Sequence, residues 1–209
     1  MYWGLGCYFA VAAVHTFVYA FGGRAPLEGW PEVLQFLHCL LYTTIITFPL
    51  LGGITVVYWV ILAPDDNQFR NRYSAWCNVS FHTLNSVFAI FEVLIPRTER
   101  SPWLHVPFLF LILAGYLGVA YITKATKGLY TYSFLDRGKK GSGMVAAYAF
   151  GIAAAICVVF VIIWLIIWLR LFLCEKVFVL KGKFSSEARG GRGDGEEGEH
   201  GSLVEKELP

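Results

Sequence analysis

Charge is missing from long stretches of this chain, and that absence decides which solvent its helices need. Val33 to Ala63 is thirty-one residues without a formally charged side chain, and Met144 to Leu169 is another twenty-six. As helix, at about 1.5 Å per residue, the first run is roughly 45 Å long, more than the roughly 30 Å of a bilayer's hydrocarbon core. A soluble helix needs a polar face, and these runs have too few polar residues to make one. Over the whole chain only 15% of residues are charged, against roughly 25% in an ordinary soluble domain. Lipid is the solvent that fits.

The apolar runs predict an all-α, multi-pass transmembrane helix bundle of about five spans. These fall at residues 1–22, 33–63, 76–95, 103–123 and 144–173. The first has no basic leader and no small-residue cleavage site, so it reads as a span and not as a signal peptide. Pro49 and Gly52-Gly53 lie inside the second, which predicts a tilted or kinked helix, or first turns lying in the interface. A pair of short helices turning at Gly52-Gly53 is the weaker option, because each half is too short to span. Trp76 and Trp103 open the third and fourth runs, where indole rings anchor at headgroups. Residues 1–184 therefore form one membrane domain. From Ser185 to Pro209 the composition turns to Gly, Glu and Arg, which cannot bury enough apolar surface to order itself.

Several function classes drop out. The net charge is only +2 and the basic residues sit beside span ends, so no basic stripe suits nucleic acid. Cysteines 7, 39, 77, 157 and 174 make an odd set without a Cys-x-x-Cys pair, and read as small buried hydrophobes and not as a disulfide framework. No Gly-x-Ser-x-Gly elbow, no His-Glu-x-x-His and no other multi-ligand spacing is present, so neither a metal nor a cofactor is expected. His15, His38, His82 and His105 fall on four different segments. The positive-inside rule is mute, with seven basic residues on each side of the expected bundle.

The third run is the most polar. Asn78, His82 and Asn85 share one helical face, and Glu92 continues it seven residues on. Ionisable groups are costly inside a bilayer, so this face is expected to look onto protein or water. Asn85 and Ser86 also suit plain helix-to-helix hydrogen bonding, and Glu92 is near enough to the segment end to reach the interface. His82 stands six residues inside the span, where a neutral imidazole can take a proton from a nearby hydroxyl. Glu92 is about 15 Å further along the axis, too far to pair with it directly. The nucleophile is open. Thr16 and Thr47 are candidates, since a base-activated threonine can attack a carbonyl, although a helical threonine more often bonds its own i−4 carbonyl.

Three stretches in consistent order then point to a family. They are Phe48-Pro49 followed by Val57-Tyr58-Trp59-Val60-Ile61; Trp76-Cys77-Asn78-Val79-Ser80-Phe81-His82-Thr83 with Glu92 ten residues past the histidine; and Gly115-Tyr116 leading to Gly128-Leu129-Tyr130-Thr131-Tyr132-Ser133-Phe134-Leu135-Asp136. Across roughly residues 45 to 137 the chain resembles the androgen-induced protein family, which includes the androgen-dependent TFPI-regulating protein. The second stretch is similar to its Trp-x-Asn-His-x-x-His-Thr pattern. The resemblance implies a six-helix membrane hydrolase without a catalytic serine, cleaving fatty acid esters of hydroxy fatty acids with a threonine and a histidine. The family histidine falls on His82, and the histidine preceding it falls on Val79. The family threonine opens the helix before the Phe-Pro helix, and here no threonine stands ahead of Tyr2. A shortened N-terminus, a substitute threonine or a lost activity would each account for that.

The expected function is thus an integral membrane lipid-ester hydrolase with His82 as base and Asn78, Asn85 and Glu92 as its polar support. Its partners would be membrane lipid and a lipid ester, and its default compartment the endoplasmic reticulum. A non-catalytic scaffold or lipid-binding protein is the alternative, and a small transporter the second.

Overall fold

The computed structural model describes residues 2–22, 27, 29–51, 71–96 and 98–178. Among them there is helix and no strand. Four helices are long and apolar enough to cross a bilayer: α1 (Tyr2–Gly22), α2 (Glu32–Leu50), α5 (His105–Lys127) and α7 (Ser142–Phe172). The chain is therefore an integral membrane protein. Its exposed surface agrees, because Phe17, Leu111 and Phe150 stand out from the helices where only acyl tails would welcome them.

The third expected span is helical throughout, but it is not one α-helix. It starts four residues early as α3 (Arg72–Asn78), widens into a π-helical turn (Val79–Leu84), and resumes as α4 (Asn85–Leu94). Asn71 caps its start, accepting a hydrogen bond from the Ser74 N–H at 2.7 Å. The remaining polar elements form a connector between α5 and α7: a 3-10 turn (Ser133–Leu135) and the one-turn helix α6 (Arg137–Lys140). A second π turn (Leu173–Val177) follows α7. The second run's continuation past Leu51, with Gly52-Gly53 and Trp59, and the tail at 185–209 lie outside the described residues.

Residues 1–167 form one compact unit. Within it α1 and α2 run antiparallel, with Tyr8 against Tyr42 and His15 against His38. α2 and α4 are antiparallel as well, joined by Tyr42 to Glu92 at one level and by Ser86 donating to the Pro49 carbonyl (2.9 Å) at another. Pro49 sits inside α2, where its missing N–H leaves the helix ladder one bond short. An apolar core of Leu51, Leu109, Ile156 and Phe160 holds α2, α5 and α7 together. At the far end of α5, Gly128 adopts a left-handed φ of 74° and returns its N–H to the Lys124 carbonyl, closing the helix. Phe134, Leu135, Ala120 and Val145 then seal the connector onto α5 and α7.

The described part of the second unit, residues 168–178, is the last turn of α7 and the π turn after it. Trp168 and Phe172 stack there with ring centroids 5.7 Å apart. The five cysteines are all free thiols, and none is buried: Cys7 is exposed and the others half-exposed. This corrects the expectation of buried cysteines. A bilayer accepts a small apolar thiol on the outer face of a helix, so burial in protein is unnecessary.

Candidate functional site

The single polar stripe expected along the third span is divided. Each residue of a π turn advances less around the axis than in an α-helix, so one such turn rotates everything beyond it relative to what came before. Asn85 and Glu92 are consequently buried, at 2% and 4% exposure, while Asn78 and His82 remain half-buried. The wider turn also frees carbonyls. Phe81's is taken by the side-chain amide of Asn85 (2.6 Å), in the place where an α-helix would present that residue's backbone N–H.

Glu92 is enclosed by protein. Its carboxylate accepts a hydrogen bond from the Tyr8 hydroxyl at 3.1 Å, and Tyr8 and Tyr42 cover it. The Tyr42 hydroxyl lies 3.4 Å from Glu92's backbone carbonyl and 2.7 Å from the Thr98 hydroxyl. A buried acid is thus tied to α1 while α2 grips its backbone, and the connector after α4 is pinned to the same place.

One residue further along α2, a second network crosses between helices. Thr43 Oγ1 lies 2.7 Å from His105 Nδ1 and 2.8 Å from Ser101 Oγ, and 3.0 Å from its own i−4 carbonyl at Cys39. Thr43 and His105 are fully buried and Ser101 nearly so. Phe36 sets its ring edge-on to the imidazole, 5.2 Å between centroids. Thr43 Oγ1 is placed to donate to Ser101 Oγ and to the Cys39 carbonyl. A proton on His105 Nδ1 lets the ring donate to Thr43; with the proton on Nε2 instead, Thr43 would have to turn its hydroxyl to Nδ1.

The sequence candidates divide on these observations. Thr16 donates to the Ala12 carbonyl at 2.8 Å, the ordinary bond of a helical threonine. Thr47 lies one turn from Thr43 on the same face of α2, fully buried, and its hydroxyl has no partner among the described residues. Neither threonine hydrogen-bonds His82. Ser80 Oγ, Asn85 Oδ1 and His105 Nε2 are the other buried polar atoms without a partner among the described residues.

Thr47 and Ser101 both line a narrow cleft, whose other walls are Phe160, Ile163, Trp164 and Ile167 of α7. The walls stand too close to seat a water molecule as they are. Arg100 lies over the Trp164 ring at 4.7 Å and Trp103 beside it at 5.8 Å, so the aromatic wall is held from outside. The cleft thus presents two hydroxyls, one hydrogen-bonded to the Thr43 that also meets His105 and one without a partner among the described residues, against apolar side chains.

Of this cluster, Thr43, Thr47 and His105 are conspicuous in sequence as polar residues within or beside apolar runs. Ser101 is not: it sits in a short connector and follows no motif. His15 and His38 lie 4.9 Å apart with tilted rings, and among the described residues no three His, Cys, Asp or Glu side chains gather as a metal would need. No protein family, curated protein or solved structure matches the chain.

Proposed function

We propose that this integral membrane protein is a lipid-ester hydrolase whose chemistry runs through Ser101, Thr43 and His105. The observation that carries the reading is the cleft, where Ser101 faces apolar walls with a threonine and a histidine behind it and, at its side, a Thr47 hydroxyl without a partner among the described residues. Ser101 Oγ attacks the ester carbonyl. For this the Thr43 hydroxyl turns from Ser101 to His105 Nδ1 and Ser101 turns to donate to Thr43; the Ser101 proton then passes to Thr43 Oγ1 as Thr43's own proton passes to Nδ1. The oxygen that gains charge is met by Thr47, a donor held ready and dry. The alcohol leaves with the proton from the imidazole, and a water later releases the acyl group by the reverse path. Trp164 must move first, because the cleft admits no water while it is closed.

The substrate class, an ester carrying acyl chains, suits walls built from Phe160, Ile163 and Ile167. That substrate class also agrees with the sequence resemblance to the androgen-induced protein family, and the endoplasmic reticulum is the compartment we expect. The resemblance gives the nucleophile to a threonine and the histidine role to His82 instead, so the two assignments compete. A second reading, a non-catalytic scaffold, is favoured by the complete burial of Thr43 and His105, which also suits a knot tying α2 to the connector before α5.

Lipid-ester turnover by the purified full chain separates these readings, run beside Ser101→Ala, His105→Gln and His82→Ala. Our assignment expects the first two variants to be inactive with melting temperatures near wild type, and the third to keep its rate. Loss in His82→Ala alone would move the site to the third span. No turnover in any form, wild type included, would favour the scaffold.

A further inference from the structure

The end of α5 furthest from His105 carries a different kind of surface. Between Lys124 and Lys140 the chain has Lys124, Lys127, Arg137, Lys139 and Lys140, and Asp136 is the only acid from His105 to Phe172. That leaves this short connector at a net +4. The Asp136 carboxylate is already engaged at the start of α6, accepting from the Gly138 and Lys139 N–H groups at 2.9 and 3.4 Å.

The connector is fixed in place. Phe134 and Leu135 are buried against Ala120 and Val145. Lys124 donates to the Gly128 carbonyl and lies over Tyr130 at 4.7 Å, while Arg137 lies over Tyr121 at 5.1 Å. Tyr116 and Tyr132 meet hydroxyl to hydroxyl nearby. Burial, more than that bond, holds the Tyr132 phenol above its ordinary pKa, so it adds no negative charge here. Tyrosines gathered where a span ends mark the headgroup level. Lys127, Lys139 and Lys140 are exposed beside them. Ammonium groups at this end of the span are within reach of lipid phosphates, which favours a lipid partner over an acidic protein.

We infer that this connector is a docking surface for the headgroup of an anionic phospholipid, held by Lys127, Lys139 and Lys140 over the tyrosine-lined end of α5. The surface is some 34 Å of helix away from His105, given 23 residues in α5, so it stands or falls independently of the hydrolase reading. Each near-surface lysine should favour an anionic lipid by about fivefold, less as salt rises.

The test uses the full chain reconstituted in phosphatidylcholine vesicles containing a minority of phosphatidylglycerol, with retained lipids counted by native mass spectrometry. Wild type should keep phosphatidylglycerol at about fivefold or more above its share of the bilayer. The combined Lys127→Gln, Lys139→Gln and Lys140→Gln variant should fall back to that share. The combined Lys→Arg variant at the same positions should keep the enrichment, since charge and not shape is read. Wild type at the bilayer share, or enrichment that persists in the glutamine variant, would overturn the inference.

Discussion

The two ends of α5 are held by different chemistry. At the His105 end, beside the apolar core around Leu109, hydrogen bonds between side chains cross from helix to helix: Tyr8 to Glu92, Tyr42 to Thr98, and Thr43 to Ser101 and His105. At the Lys127 end, Phe134 and Leu135 pack into a small apolar core, and the polar groups are spent on caps and cation–π contacts at the surface. Apolar packing gains little against lipid tails but a good deal against water. The cap lies where water reaches, so an apolar core can hold it. Polar groups buried in the span cannot turn to water and must find one another, which concentrates them and leaves a few without a partner.

Four substitutions probe that difference, in decreasing order of effect. His105→Gln keeps a hydrogen-bonding partner for Thr43 but removes the base, and should cut lipid-ester turnover by about 10²–10⁴-fold with little change in thermal stability. Equal losses of rate and stability would make the histidine a strut. Phe134→Ala should do the opposite, costing about 3–5 kcal/mol of stability in a denaturation series while the rate per folded molecule holds. Tyr8→Phe leaves the Glu92 carboxylate without its donor and should cost about 1–3 kcal/mol, measurable in the same series. Thr126→Ala, at a hydroxyl that bonds only its own helix carbonyls, should stay within about 0.5 kcal/mol. A larger effect there would mean that the Lys127 end depends on polar contacts after all.

Much of this architecture is legible in the sequence, because a bilayer makes one demand that composition reveals directly. Charge-free runs place α1, α5 and α7 within a few residues of their observed ends, and the start of α2 within one. The third span is legible as helix but not in its geometry, since nothing in Val79–Leu84 distinguishes a π turn from an α turn. That one turn rotates Asn85 and Glu92 away from the stripe they share on paper with Asn78 and His82. The site is harder still. Thr43 and His105 are 62 residues apart, and their meeting depends on where α5 begins against α2, a tertiary fact without a local signal. Ser101 carries no mark at all until the connector folds back onto Thr43. Glu92 was visible as a costly acid, but its donor sits 84 residues away on α1.

The most direct measurement is the position of a covalent adduct. The full chain would be treated in its membrane with a lipid-like fluorophosphonate, digested, and the modified residue located by peptide mass spectrometry, alongside His105→Gln. The account predicts phosphonylation at Ser101 that is lost or strongly slowed in the variant. An adduct on a threonine of another helix, or equal labelling in both proteins, would contradict it.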